Sequence, residues 1–253
     1  MENKEMEWLL KEKYNGKKSE AFFTDCKRLA LGEPLAYVIG WTPFLNCKIW
    51  LDNHPLIPRL ETEFWIEELI KTIHGSRTIS LGIESGPLKI LDLCAGSGCI
   101  GIALAMEITA SQVDFGEIDQ KLLPTISKNL AENLPEDNKH QVIHTNLFSG
   151  ITGKYDFIAC NPPYIDENLD RTDQSVKDHE PFIALFGGSQ GMELITKIIL
   201  QSPLHLADGG QLWLEHEPEQ EKLIKELADE VGFTCQSFKD QFKVIRYSSL
   251  VLQ

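Results

Sequence analysis

With 253 residues, 42% of them apolar and 9% aromatic, the chain can bury one large core, or a core with a small appendage, and is too apolar to be disordered. A formal net charge of −14 argues against a protein that grips bare nucleic acid through its phosphates, which takes clustered Lys and Arg. The longest apolar runs, such as Ile100 to Met106, fall short of the ~20 residues that span a bilayer. The start, Met1-Glu2-Asn3-Lys4-Glu5, is too acidic for a signal or transit peptide, so a cytoplasmic protein is expected. The six cysteines make no C-x-x-C pair and have no nearby His at zinc spacing; they read as reduced, buried small hydrophobes, and no metal is expected.

Residues 2–14 and 17–31 each read as a short amphipathic helix, too short to stand alone, so a small helical cap is expected. Ala36–Trp41 and Phe44–Leu51 read as two strands of a hairpin joined at Thr42-Pro43. Phe64–Ile73 reads as a helix whose start is favoured by Glu61 and Thr62, with Arg59 ahead of it as a solvated charge. Residues 75–87, rich in Gly and Ser, read as a linker. From Leu88 the pattern changes to strands at 89–93, 112–117, 141–145, 155–160 and 211–217, alternating with helices at 99–107, 120–133, 191–207 and 218–231. Two strands near 233–237 and 244–251 then follow each other directly. The expected class is α/β: a seven-stranded, mostly parallel sheet with helices on both faces and an antiparallel pair at one edge. A small helical segment (1–31) and a hairpin with its linking helix (32–75) would precede the sheet domain (76–253).

Within that domain, Asp92-Leu93-Cys94-Ala95-Gly96-Ser97-Gly98-Cys99-Ile100-Gly101 sets glycines at G-x-G-x-x-G spacing between a strand and a helix start, where backbone can approach a ligand closely. Glu117 stands about 20 residues on, at the end of the next strand, placed for ribose hydroxyls. Dinucleotides and S-adenosylmethionine both suit such a turn. A carboxylate at Asp92 would repel a pyrophosphate and suit a cationic ligand, which favours S-adenosylmethionine over a dinucleotide; hydrogen-bonded support beneath the loop is the plainer role for Asp92.

A second feature is Asn161-Pro162-Pro163-Tyr164-Ile165, at the end of a buried strand. Two prolines fix the backbone and donate nothing, so the strand stops and its carbonyls turn outward beside the Asn161 amide and the Tyr164 ring. That corner suits a flat group carrying an NH2; an ordinary Asn-Pro turn is the plainer reading.

Together these features resemble class I S-adenosylmethionine-dependent methyltransferases, which are Rossmann-like, and within them the peptide chain release factor glutamine methyltransferases. The resemblance runs from about Gly32 onward. It rests on Gly32-Glu33-Pro34-Leu35-Ala36-Tyr37, on Ile57-Pro58-Arg59 with Glu61-Thr62-Glu63, and on the two motifs above. Glu180-Pro181, Gly187-Gly188, Gly191, Glu215 with Gln220, and Lys239-Asp240 with Arg246 also fit. Asn-Pro-Pro-Tyr occurs in adenine methyltransferases too, so the Ile-Pro-Arg-x-x-Thr-Glu segment is the more specific signal.

The resemblance implies methyl transfer to the side-chain amide nitrogen of a glutamine in a release factor, by a monomer acting on a protein rather than a membrane or nucleic acid. It places Asn161, Pro162, Pro163 and Tyr164 at the reacting amide. Asp92, Cys94, Ala95, Gly96, Ser97, Gly98, Glu117, Asn146, Leu147 and Asn161 would be at the cofactor. The chain departs from the family in its shorter helical segment at 1–31, in Asn146 where Asp is usual, and in Glu217 where Gly is common. Competing readings are a glutamine in a ribosomal protein, adenine in DNA or RNA, and a nucleotide-binding module or dehydrogenase. His179, the nearest base in sequence, reads as an exposed polar residue.

Overall fold

The structure is a computed structural model that describes residues 2–79, 86–135, 139–169 and 171–252. Helices α1 (Glu2–Glu12) and α2 (Glu20–Ala30) pack with α3 (Leu35–Ile39) around Leu9, Phe22 and Val38. The strand expected over 36–41 is therefore mostly helix. Pro34 opens α3 with its fixed φ, and Gly40, at φ 97°, closes it by donating its amide to the Ala36 carbonyl. Tyr37, Val38 and Ile39 look strand-like because a short apolar run carries no decisive period; burial of Val38 and Ile39 against Leu9 and Phe22, and of Tyr37 in the main core, decides it.

The hairpin consists of β1 (Trp41–Phe44) and β2 (Cys47–Trp50), and it turns at Leu45-Asn46, with Leu45 at φ 49°, instead of at Thr42-Pro43. Pro43 lies inside β1, which a two-stranded sheet tolerates because each strand has a free edge. Helix α4 (Leu60–Ile79) starts earlier and ends later than expected. Glu61 and Glu63 fall in its first turn, and it runs through Gly75, where a helical glycine costs only about 1 kcal/mol. The expected linker is thus helix up to Ile79; its residues 80–85 lie outside the described residues.

The remaining elements are β3 (Leu88–Leu93), α5 (Cys99–Glu107), β4 (Ser111–Glu117), α6 (Leu123–Asn133), β5 (Gln141–His144), β6 (Tyr155–Cys160), α7 (Gln174–His179), α8 (Phe182–Leu185), α9 (Glu193–Gln201), β7 (Leu206–Glu215), α10 (Glu221–Glu230), β8 (Phe233–Lys239) and β9 (Ile245–Leu252). The helix expected to reach Ala207 ends sooner, because Pro203 breaks it and Leu206 already pairs with Tyr155. Seven strands form one sheet in the order β5-β4-β3-β6-β7-β9-β8, parallel except for β9, which runs antiparallel to both neighbours. Successive strand residues face opposite layers. Ile90, Phe115 and Ala159 pack with Trp65 and Leu69 of α4 and Ile102 of α5, whereas Leu91, Ile158 and Leu212 pack with Ile195 of α9 and Ile224 of α10. Among the described residues no helix is long and apolar enough to cross a membrane.

Connections leave β3 toward β4 and β5 and then return to β6 on its other side, so β3 is the switch point. Leu93 is in register with both Gly116 and Cys160. Cys94, Glu117 and Asn161 therefore leave the sheet at one carboxyl edge.

Behind that edge, Gly191 adopts φ 65°, and a Cβ there would lie 1.8 Å from the Tyr164 carbonyl oxygen and 2.5 Å from Gln220 Nε2. Gly191→Ala should cost at least about 1–3 kcal/mol in thermal or denaturant unfolding. Gly209→Ala, at φ 73° with nothing within 4 Å of the added methyl, should cost less.

Candidate active site

The glycine turn is shaped from behind as well as from in front. A Cβ on Gly101 would sit 2.3 Å from the Phe115 ring and 3.0 Å from Asp92 Cβ, so only glycine lets α5 lie this close to β3 and β4. The Gly101 amide donates to Asp92 Oδ2 at 2.8 Å, and Asp92 is fully buried. Burial, opposed by that amide, pushes the Asp92 carboxyl well above its ordinary range. Asp92 lines neither cavity described below and supports the start of α5. The expectation that its charge faces the ligand and turns away phosphate is corrected accordingly. Gly98 caps α5 at φ 80° and faces Ile126.

In front of the turn lies a cavity of about 320 Å³. Of the residues expected at a cofactor, Cys94, Ala95, Gly96, Ser97, Glu117, Asn146, Leu147 and Asn161 line it; Asp92 and Gly98 do not. Glu117 is 6% exposed, accepting from the Gly96 amide through Oε2 and from the Asp119 amide through Oε1, both at 2.7 Å. Burial nevertheless raises its carboxyl above the usual range. Cys94 (φ 60°) and Leu147 (φ 50°) take left-handed backbone that non-glycine residues seldom adopt, a form of strain that gathers at ligand sites. Ile118, 43% exposed, and Leu122 add an apolar wall that sequence reasoning missed.

A second cavity, of about 240 Å³, opens on the other side of the proline corner and is lined by Pro162 and Tyr164, while Pro163 faces the first. Within the corner, Asn161 alone borders both. Its Nδ2 donates to Thr62 Oγ1 at 3.2 Å. The Tyr164 hydroxyl donates to Glu215 Oε1 at 2.9 Å, and burial followed by that carboxylate pushes the phenol well above its ordinary range. Gln220 Nε2 donates to the Tyr164 carbonyl at 2.7 Å.

From outside, the corner is clamped by the segment before α4. The Ile57 amide (3.0 Å) and Arg59 Nη2 (2.6 Å) both donate to Glu180, whose side chain is only 2% exposed. Arg59 is thus a paired residue lining both cavities, not the solvated charge its surroundings in sequence suggest. His179 is half-buried, donates from Nδ1 to the Ser175 carbonyl at 2.9 Å, and lies outside both cavities. Glu180 and Glu215 entered through resemblance alone; an acid at the end of an apolar run, Leu212-Trp213-Leu214-Glu215, is a local signal that marks Glu215, whereas Lys177-Asp178-His179 ahead of Glu180 gives none.

A family model described as "Methyltransferase small domain" matches residues 75–178. A release factor glutamine methyltransferase of Borreliella burgdorferi is 33% identical over 226 residues, covering 89% of this chain and 75% of the relative. One from Francisella tularensis is 38% identical over 208 residues, covering 82% and 70%. The chain belongs to the release factor glutamine methyltransferase family. Among solved structures, the hMettl16 catalytic domain in complex with MAT2A 3'UTR hairpin 6 superposes with a TM-score of 0.59 at 17% identity, covering 92% of this chain and 82% of that one, a likeness in fold.

In this release factor glutamine methyltransferase family member, removing Glu180 leaves the Ile57 amide and the Arg59 guanidinium without their acceptor. Glu180→Ala should lower stability by about 1–3 kcal/mol in denaturant unfolding, with protease cleavage near Arg59 rising in parallel.

Proposed function

We propose that the chain transfers a methyl group from S-adenosylmethionine to the side-chain amide nitrogen of a glutamine in a peptide chain release factor. The family relationship supports this, and one observation carries it: Asn161 borders both cavities with its Nδ2 spent on Thr62, Pro162 follows it in the lining of the second, and no described group donates to the Asn161 side-chain oxygen or the Pro162 carbonyl. Two such acceptors match the two hydrogens of a primary amide.

The first cavity fits the cofactor. Both Glu117 oxygens retain a lone pair for ribose hydroxyls, Ile118 and Leu122 offer an apolar face for a flat base, and the Asn146 amide can meet an exocyclic amine as the usual Asp does. When bound there, S-adenosylmethionine supplies an electrophilic methyl on a sulfonium. An amide nitrogen is a poor nucleophile because its lone pair is delocalised, so the chain's contribution is to hold it in place. Asn161 Oδ1 and the Pro162 carbonyl take the two N–H bonds, Tyr164 and Pro163 bracket the planar group, and positioning of this kind supplies at best roughly 7–11 kcal/mol. An N-protonated amide is a strong acid, so its surplus proton passes to water without a dedicated base.

The same reading gives a cytoplasmic monomer in three parts: helical segment 1–31, hairpin and linking helix 32–75, and methyltransferase domain 76–253. An adenine in nucleic acid fits the corner as well, but the net charge of −14 opposes a nucleic-acid partner.

Radiolabelled methyl transfer should mark purified release factor and not DNA or RNA; label on nucleic acid alone would replace this proposal with the adenine reading. Asn161→Ala should abolish turnover while cofactor binding survives, and wild-type turnover in that variant is the outcome that sinks the positioning argument. Glu117 must be ionised to accept ribose hydroxyls, and burial raises its pKa, so affinity should fall as the pH drops toward and through that raised value. Calorimetry should find Glu117→Gln weaker by about 10-fold or more at neutral pH, with that part of the pH dependence gone.

A further inference from the structure

We propose that Glu215 and Thr62 act as positioning residues that fix which way round the Asn161 amide stands, so that its oxygen and not its nitrogen meets the substrate. This rests on the reading that Asn161 Oδ1 accepts an amide hydrogen, and goes beyond it by assigning what enforces that orientation.

The direction of each hydrogen bond follows from chemistry. Glu215 ends β7 and is 1% exposed. Trp65 Nε1 lies 2.6 Å from Glu215 Oε2, and an indole N–H can only donate, so that oxygen is an acceptor. Thr62 Oγ1 lies 2.7 Å from the same oxygen. A hydroxyl has one hydrogen, and against an accepting carboxylate Thr62 must spend it there. What remains on Thr62 Oγ1 is lone pairs. A group approaching at 3.2 Å must therefore donate, and of the two ends of the Asn161 amide only Nδ2 can do so. The opposite orientation would set Asn161 Oδ1 against those lone pairs and leave NH2 facing the NH2 of a substrate amide. Asparagine has no such preference of its own, since its two ends are nearly the same shape.

The same carboxylate reaches the other side of the corner. Its Oε1 accepts from the Tyr164 hydroxyl, so one buried group orients both the amide and the ring that flank the substrate position. Trp65 and Thr62 both belong to α4 and Glu215 to β7, which makes the arrangement a property of how α4 packs on the sheet.

Thr62 also borders the first cavity, so the test must separate orientation of Asn161 from contact with cofactor. Thr62→Val keeps the shape and removes the hydroxyl; Thr62→Ser keeps the hydroxyl. With purified release factor as substrate, Thr62→Val should lower kcat by about 10- to 100-fold with the S-adenosylmethionine Kd unchanged, its unfolding temperature falling only by what the loss of one donor to the buried Glu215 costs, and Thr62→Ser should restore most of the loss in kcat. Three results overturn the proposal: Thr62→Val turning over like the parent, Thr62→Ser as slow as Thr62→Val, or Thr62→Val losing cofactor affinity with kcat intact. Asn161→Ala run alongside keeps the two levels apart. An inactive Asn161→Ala with an unimpaired Thr62→Val removes only the orienting pair, whereas an active Asn161→Ala removes the underlying reading.

Discussion

A carboxyl group taken out of water needs donors, and the donors to four buried acids near the carboxyl edge of this sheet place much of what surrounds them, although Asp92 keeps one oxygen, Oδ1, without a partner among the described residues. Asp92 takes the Gly101 amide and fixes where α5 begins. Glu117 takes the Gly96 and Asp119 amides and so ties the glycine turn to the end of β4. Glu180 gathers the Ile57 amide and Arg59. Glu215 gathers Thr62, Trp65 and Tyr164. In one of the four alone is a full positive charge among these donors; backbone amides, hydroxyls and an indole do the rest. A net charge of −14 thus coexists with buried acids because their partners are dipoles fixed in position.

Two of these acids join the large sheet to the segment ahead of it. Ile57 and Arg59 hold the chain after α7, and Thr62 and Trp65 on α4 hold the end of β7. The corner at Asn161 is gripped between them. It leaves β6 in register with the glycine turn, which supplies its placement, but its side-chain order comes from α4. The Ile-Pro-Arg-x-x-Thr-Glu segment therefore belongs to the corner physically, although it precedes the sheet in the chain.

The sheet could be read from the chain because its strands are short apolar runs at regular intervals, and each period is local. Glu117 was legible for the same reason, lying at a set distance beyond a glycine turn. What escaped was set by distant partners. Tyr37, Val38 and Ile39 carry a strand's composition and fold as α3 because Leu9 and Phe22 pack on Val38 and Ile39 while Tyr37 joins the main core. Asp92 reads as a ligand-facing charge until Phe115 and Gly101 close over it. Arg59 reads as solvated because its partner is Glu180, 121 residues away. Thr62 and Glu215 are separated by 153 residues, and no periodicity links them.

The position of β9 in the sheet has a bearing on the order in which the molecule comes into being. Although it is the last of these strands to be synthesised, β9 is internal, lying between β7 and β8. Until it emerges from the ribosome, β7 is an open edge, and Glu215 lacks Tyr247, its register partner. The glycine turn, the proline corner and α4 all precede it, so the nascent chain holds the lining of both cavities before it holds the strand that pairs with β7. Completion of the sheet around the candidate site thus waits on β9, and a chain stalled short of Ile245 carries that site on an unfinished sheet.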